Sequence, residues 1–181
     1  DCSPISDGAA AVVVTGKRKM ENGKMIEILA SCVATDTLGL AQRESLIELK
    51  ATKDAAQKAY QLAGVGPKDI QLIEVHDCFT IAEILALEDL GFYKKGDAAK
   101  AIVAGEVTIG TAKRFVSNPS GGLKGCGHPV GATGVKQVVE LVDQLRGRAG
   151  KRQVEGARFG LAQNVGGSGA TSVVHILCNH R

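Results

Sequence analysis

The chain has 181 residues, of which 44% are hydrophobic and 23% charged, and its formal net charge is only +3. This composition is typical of a soluble globular protein, and so small a charge gives no support to nucleic-acid binding or to a membrane-surface role. No apolar run is long enough to cross a bilayer, and no signal peptide is visible. The five cysteines form no Cys-x-x-Cys pair, which indicates free thiols in a reducing compartment, and we expect a cytoplasmic protein.

The first third of the chain predicts two strands and a helix. Residues 9–14 form an apolar run that is typical of a buried strand, and the partial alternation in residues 25–33 predicts a second strand. Asn22-Gly23, between the two strands, is a turn signal. Thr52 is placed to be the N-cap of a helix that ends at Gly64. The apolar face of that helix comprises Ala55, Ala56, Ala59, Tyr60 and Ala63.

The middle of the chain predicts a strand, a second helix and an irregular segment. Residues 70–75 are a short apolar run, which predicts a strand. The apolar residues that follow have helical spacing up to Gly91, and Phe92 is placed to pack back on the helix. Residues 93–111 show no sustained period, so we expect them to be irregular in part.

The last third predicts a helix and two strands. Pro129 suits the first position of the helix, and the strands would span residues 159–163 and 172–177. A glycine-rich turn at residues 164–169 would join these strands. The order of elements predicts an α/β layer with a mixed sheet. The apolar face of the helix comprises Val135, Val138, Val139, Val142 and Leu145.

Residues 117–134 contain six glycines and two prolines, more than an ordinary loop needs. Glycine permits positive φ and close approach, and His128 stands in the middle of this stretch, just before the predicted helix. A helix N-terminus disfavours imidazolium, so a neutral ring held here could act as a general base. The alternative is a structural histidine that bonds a nearby carbonyl. A phosphate-binding loop is disfavoured, because no Lys-Ser or Lys-Thr pair follows at the required spacing.

Cys78 is the second candidate, because it follows the predicted strand at 70–75 and opens the next helix. A helix N-terminus lowers the pKa of a thiol, and His76 two residues earlier would suit proton transfer with it. The alternative is a small buried hydrophobic residue, which most free cysteines are. Together with Cys126 and His128 these residues also permit a zinc site, but the two-residue spacing differs from that of the usual zinc pairs.

Two motifs together resemble those of the thiolase superfamily. Asn-Pro-Ser-Gly-Gly at 118–122 runs into Gly-His-Pro-Val-Gly-Ala-Thr-Gly at 127–134, which is similar to the signature of that superfamily. His-Asp-Cys-Phe at 76–79 resembles the version found in sterol-carrier-protein-type thiolases and their archaeal and bacterial relatives. Gln163 falls where other thiolases carry the cysteine of a Cys-x-Gly motif. The resemblance implies that Cys78 takes over the acid/base role of that cysteine.

The resemblance implies an α/β fold: a thiolase-like C-terminal domain, a mixed sheet with helices on both faces, which is half of an α-β-α-β-α layered fold. Residues 1–24 would be the end of the N-terminal thiolase domain and a linker, and residues 25–181 the C-terminal domain. The chain begins at Asp1 without methionine, so we expect a fragment. The nucleophilic cysteine of the superfamily lies in the N-terminal domain, and no cysteine here has a matching context. We therefore expect the isolated chain to be inactive.

A complete thiolase joins acyl-CoA units by Claisen condensation or cleaves 3-oxoacyl-CoA by thiolysis, so the implied substrates are coenzyme A thioesters, with no cofactor and no metal. The resemblance implies that His128 takes the proton of the nucleophile and that Cys78 takes an α-proton. His76 would bind an oxyanion, together with His128. The further substrate-binding or oxyanion residues that it implies are Asn118, Gly166 and Gly167.

The resemblance also implies partners. These are the N-terminal thiolase domain and further copies of the protein in a homodimer or homotetramer, with a role in lipid metabolism. The alternative is an acyl-CoA-binding or scaffold subunit of a multi-enzyme complex, because a chain without a nucleophile could only bind. An upstream sequence with a reactive cysteine would favour the enzyme.

Overall fold

The computed structural model describes residues 1–16 and 25–179, and its centre is a single five-stranded sheet. The strand order is β1-β5-β4-β2-β3. Strand β5 is antiparallel to both of its neighbours, whereas β2 is parallel to β3 and β4, so the sheet is mixed as predicted. The strands are β1 (Ile26–Thr35), β2 (Leu72–Glu74), β3 (Val116–Ser117), β4 (Phe159–Gly166) and β5 (Thr171–Asn179).

Helices cover both faces of the sheet, which confirms the predicted fold class. The helices are α1 (Lys50–Ala63), α2 (Thr80–Asp89), α3 (Ala98–Val103), α4 (Gly122–Cys126) and α5 (Thr133–Arg146). Successive strand residues point to opposite faces. In β2, Ile73 therefore packs in the core that holds α1 and α2, and Leu72 packs in a second core with Leu141 of α5. No helix in residues 1–16 and 25–179 is long and apolar enough to span a membrane.

Helix α1 begins at Lys50, so the prediction of Thr52 as its N-cap is wrong. Thr52 is fully buried inside the helix, and its backbone N–H donates to the carbonyl of Leu49, which is the residue that precedes the helix. Leu49 is held in turn by Asp89, whose carboxylate accepts from the Leu49 N–H at 2.7 Å. A contact from a distant helix therefore sets this boundary. The C-terminus follows the local signal: Gly64 has a left-handed φ of 67° and ends the helix as predicted.

Helix α5 begins at Thr133, four residues after the predicted start. The carbonyl of Pro129 accepts from the N–H groups of Ala132 and Thr133, so Pro129 opens a turn before the helix. The valine face is only half-buried. Most of the residues that face the sheet are polar, because side-chain amides there bond backbone carbonyls of the strands and loops. The buried face comprises Thr133, Gln137, Glu140, Leu141, Gln144 and Leu145.

The strand predicted at residues 9–14 is absent. Val13 is 96% exposed, and no strand in the described part of the chain pairs with this segment, so nothing supplies the hydrogen bonds that a strand requires. The turn predicted at Asn22-Gly23 lies outside the described residues. Phe92 is 3% exposed and packs in the core with α2, as expected. Residues 93–111 contain helix α3 among turns.

Candidate functional site

His76 and His128 meet at the carboxyl edge of the parallel part of the sheet. His76 follows β2, and His128 lies between α4 and α5. Their ring centroids are 4.9 Å apart, and the rings are nearly perpendicular at 85°. Strands β2 and β4 are parallel with Glu74 opposite Ala162, so two residues further along His76 lies beside Asn164. The sheet register thus brings an imidazole and an amide to one point.

The loop that carries His128 is attached to the residue next to His76. The Asp77 carboxylate accepts from the backbone N–H of Leu123 at 2.8 Å. Gly122 has a left-handed φ of 62°, and a Cβ added to it would lie 2.1 Å from Asp77 Oδ2, so only glycine fits. Burial raises the pKa of Asp77.

A buried carboxyl group holds the preceding part of the same loop. Glu74 is 1% exposed, and its carboxylate accepts from the backbone N–H of Ser120 at 3.0 Å and from its hydroxyl at 2.7 Å. Lys136 donates to that hydroxyl oxygen at 2.9 Å. Burial raises the pKa of Glu74 to about 7, although the Ser120 bonds and Lys136 oppose the shift. The glycine-rich stretch therefore rests on two buried carboxyl groups from one strand end.

His76 is a buried ring with fixed partners. It is 6% exposed, and its backbone N–H donates to Gln163 Oε1 at 3.2 Å. Its Nδ1 lies 3.0 Å from Asn164 Nδ2. Burial, and secondarily His128, lower the pKa of His76 to about 4. The ring is therefore neutral near pH 7, so one of its nitrogens donates a hydrogen bond and the other accepts one.

His128 is held from both sides. Its backbone N–H donates to the carbonyl of Pro4 at 3.2 Å, and its Nδ1 lies 2.7 Å from Thr133 Oγ1, on the first residue of α5. A Cβ at Gly127 would lie 2.3 Å from Ser6 Oγ, so the N-terminal segment packs directly on the loop. His128 is thus positioned by the N-terminal segment and by the start of α5, and not by a proline at the first helical position.

Cys78 lies at the surface end of this region, half-buried. It does not open the helix, because α2 starts at Thr80 after the capping residue Phe79. Burial raises the pKa of the Cys78 thiol, although a bond to the backbone of Phe79 opposes the shift. The expected lowering of this pKa is therefore wrong, since desolvation outweighs the N-terminal N–H groups.

The other predicted site residues have structural partners. Asn118 has a positive φ of 46°, and its Oδ1 accepts from the backbone N–H of Val75 at 2.8 Å. Its Nδ2 is buried and has no hydrogen-bond partner in the described part of the chain. Gly166 ends β4 in an extended conformation, and Gly167 starts a tight turn with a φ of 56°. Within residues 1–16 and 25–179, no hydrogen bond or ring contact joins either glycine to the histidines.

The zinc alternative requires His76, Cys78, Cys126 and His128 to lie together as metal ligands. Within residues 1–16 and 25–179, no group of three or more His, Cys, Asp or Glu side chains is arranged to hold a metal ion. The exposed Cys126 thiol donates instead to the carbonyl of Ser120 at 3.0 Å.

Sequence reasoning missed three polar residues that contact the histidines directly or through one another. Asn164 was placed in a turn, because β4 was predicted to end three residues early. Thr133 and Gln137 lie four residues apart on the buried face of α5, which differs from the valine face that the apolar spacing predicted. A polar stripe at this spacing, one helical turn behind a histidine, is the signal that would have identified them.

Comparison with known proteins supports the reading of the motifs. The family model "Thiolase C-terminal domain-like" matches residues 32–179. An "Acetyl-CoA acetyltransferase" of Methanothermobacter thermautotrophicus is 49% identical over 97% of this chain and 46% of its own length. "Sterol carrier protein 2" of Homo sapiens is 43% identical over 95% of this chain and 32% of its own length.

A solved structure agrees at the level of the fold. The "Ltp2-ChsH2(DUF35) aldolase" superposes with a TM-score of 0.77 at 23% identity and covers 88% of this chain and 41% of that one. The chain spans about half or less of the length of the relatives it matches. The family match covers most of the chain and includes both histidine motifs, so the chain belongs to the thiolase C-terminal domain-like family.

Proposed function

We propose that this chain is the C-terminal part of an acyltransferase that catalyses Claisen condensation of acyl-CoA or thiolytic cleavage of 3-oxoacyl-CoA. The observation that carries the proposal is the edge-on pair of His76 and His128, one buried and both fixed by neighbouring polar groups. The alignments with relatives named acetyl-CoA acetyltransferase cover nearly all of this chain and support the same class of reaction.

The proposed chemistry begins with a nucleophilic cysteine outside these 181 residues. His128 accepts the thiol proton as the sulfur attacks the acyl carbonyl, and the acyl group is transferred to sulfur with release of coenzyme A. His76 is neutral, because burial lowers its pKa to about 4. A neutral N–H at this place donates to the oxyanion without the cost of burying a cation.

Cys78 has the second proton-transfer role in this proposal. It takes an α-proton from the second acyl-CoA, and the resulting carbanion attacks the acyl-enzyme thioester. The new carbon–carbon bond forms as the bond between the acyl carbon and the nucleophilic sulfur breaks, and the nucleophilic cysteine leaves as a thiolate. The raised pKa of the Cys78 thiol makes it a poor spontaneous thiolate. Its deprotonation therefore requires a base, and we propose that the thiol first gives its proton to another group of the assembled site.

The proposed partners are an N-terminal thiolase domain, acyl-CoA or CoA, and further copies in a homodimer or homotetramer. A cytoplasmic location and a role in lipid metabolism are part of the same proposal. Asn118, Gly166 and Gly167 are proposed to bind substrate or an oxyanion once the other domain completes the site.

The test compares the 181-residue chain with a longer protein that carries it together with its upstream sequence. We expect thiolysis of acetoacetyl-CoA by the longer protein and none by the chain alone, because the cysteine proposed to form the acyl-enzyme lies in the upstream sequence. Turnover by the purified chain, with contaminating thiolase excluded, would contradict the proposal. A longer protein that binds acyl-CoA but never turns it over would favour the scaffold alternative.

A further inference from the structure

We propose that Asn164 and Thr133 are positioning residues that hold His76 and His128 in opposite tautomers. In this arrangement Nε2 of His76 carries a proton, whereas Nε2 of His128 carries none. The inference rests on the proposed function for its catalytic meaning, but the tautomers themselves follow from hydrogen bonds of this chain and can be measured without activity.

The argument for His76 starts from backbone carbonyls, which can only accept hydrogen bonds. Gln137 Nε2 lies 3.3 Å from the carbonyl of Glu74 and 3.0 Å from that of Gln163, so the amide nitrogen of Gln137 must point to them. Gln137 Oε1 is therefore directed the other way. It lies 2.9 Å from Asn164 Nδ2, which donates to it.

The orientation of the Asn164 amide then determines the state of the ring. Asn164 Nδ2 has a second hydrogen, and His76 Nδ1 lies 3.0 Å away. A nitrogen that carries two protons cannot accept, so His76 Nδ1 is the acceptor and has no proton of its own. Because the buried ring is neutral, its single proton is on Nε2.

The argument for His128 starts from Pro129. The hydroxyl of Thr133 has one hydrogen, which it donates to the Pro129 carbonyl at 3.2 Å. With that hydrogen on the carbonyl, the hydroxyl oxygen accepts from His128 Nδ1, 2.7 Å away, and this arrangement satisfies both contacts of the hydroxyl at once. In the neutral His128 ring the proton is therefore on Nδ1, and Nε2 has a free lone pair.

The two tautomers are complementary and assign different tasks to the two rings. Nε2 of His128 is an acceptor, and a general base needs an acceptor to deprotonate a nucleophile. The ring of His76 presents a donor, which is what an oxyanion needs. A second set of bonds fixes the backbone of His76: its N–H donates to Gln163 Oε1, and Gln163 Nε2 donates to Thr52 Oγ1 at 3.2 Å.

The first experiment is a long-range ¹H–¹⁵N correlation spectrum of the imidazoles in the ¹⁵N-labelled chain near pH 7. His76→Gln and His128→Gln assign the signals. We expect a proton on Nε2 of His76 and on Nδ1 of His128. The proposal is overturned if His76 carries its proton on Nδ1 or His128 carries its own on Nε2.

Two variants test which residues impose these states. In Asn164→Asp the carboxylate can only accept, so Nδ1 of His76 should gain a proton. In Thr133→Val the His128 ring should lose its single tautomer, and Thr133→Ser should restore it. Thr35→Val, at an exposed strand position, is the matched control and should change neither ring. Unchanged imidazole spectra in Asn164→Asp and Thr133→Val would show that these residues do not set the tautomers.

The second experiment uses the longer active protein. Thr133→Val should lower kcat by about 3- to 10-fold, the value of one hydrogen bond, with little change in KM, and Thr133→Ser should recover most of the loss. A Thr133→Val variant with wild-type kcat and pH profile would overturn the positioning role. If the longer protein proves inactive, the proposed function fails, and the imidazole spectra alone decide the tautomer assignment.

Discussion

The carboxylate of Asp77 occupies the space in which any side chain at position 122 would lie. An added Cβ on Gly122 would be 2.1 Å from Asp77 Oδ2 and 2.8 Å from its Cγ. The same carboxylate accepts from the Leu123 N–H at the start of α4. The glycine-rich loop and the strand end that carries His76 are therefore in direct contact, and the positions of the two histidines depend on each other.

Gly122→Ala should destabilise the protein strongly, because it combines a clash with the Asp77 carboxylate and a left-handed φ of 62° that alanine tolerates poorly. We expect a loss of about 2–4 kcal/mol in the free energy of unfolding, measured by urea denaturation. Gly125→Ala is the matched control. It lies in the same short helix, and its added Cβ would meet nothing within 4 Å, so its free energy of unfolding should be unchanged or slightly higher. Equal stabilities of the two variants would show that the loop adjusts freely.

Glu74→Gln should change how stability depends on pH. The pKa of Glu74 is about 7 in the folded chain against 4.5 for an ordinary glutamate. Between these values the folded state retains a proton that the unfolded state has lost, so Glu74 makes the wild-type protein less stable as pH rises. The stability of the wild type relative to Glu74→Gln should fall by up to about 3 kcal/mol from pH 4.5 to pH 7.

The measurement is urea unfolding of both proteins across this pH range. His76 acts in the opposite sense: its folded pKa of about 4 lies below the ordinary 6.5, so it makes the protein more stable as pH rises through that interval. His76 contributes equally in both proteins, so the slope of unfolding free energy against pH should be more positive for Glu74→Gln than for the wild type. The charged or titratable groups that influence Glu74 are Lys136 and Glu140, and neither is altered by the substitution. Parallel curves would mean that Glu74 titrates normally.

Local signals predicted those features that depend on neighbouring residues alone. Gly64 ends α1 with the left-handed conformation that its position indicated, and Phe92 packs back on α2. The start of α1 was mispredicted because Asp89, forty residues away, holds Leu49 and lets the helix begin two residues before Thr52. No local pattern contains that contact.

In the candidate site, too, local motifs predicted some features, whereas others depend on contacts between distant parts of the chain. The motifs at His76 and His128 marked both rings, but their edge-on contact is produced by the sheet register and the loop anchors. The sign of the Cys78 pKa shift was mispredicted, because a strand-to-helix junction says nothing about how deeply the thiol is buried. The role of Asn164 could not be predicted without knowing where β4 ends. The strand continues to Gly166 because its residues pair with β5 up to that point.

Cys78→Ala in the longer protein should block exchange of the acetyl-CoA methyl protons with solvent deuterium and leave acyl transfer to the nucleophile measurable. The reason is that the thiol is proposed to act on the α-carbon only. Cys32→Ala is a suitable control, because Cys32 is half-buried in β1 and packs against the core on the α1 side of the sheet. Wild-type exchange in Cys78→Ala would indicate that the residue is only a small packing group.

His128→Ala should impair every half-reaction of the longer protein, because the ring is proposed both to take the proton of the nucleophile and to face the oxyanion. General-base catalysis contributes ~10²–10⁴ in rate, so acylation and condensation should each slow by at least ~10²-fold. His175→Ala is the matched control: His175 lies in β5, its backbone pairs with Ser31 and Ala162, and burial lowers its pKa as it does for His76. The acyl-enzyme burst and the melting temperature, measured on the same samples, separate chemistry from stability. A structural role for His128 predicts a lower melting temperature with a full burst per folded molecule, whereas a catalytic role predicts a lost burst at a melting temperature no lower than that of His175→Ala.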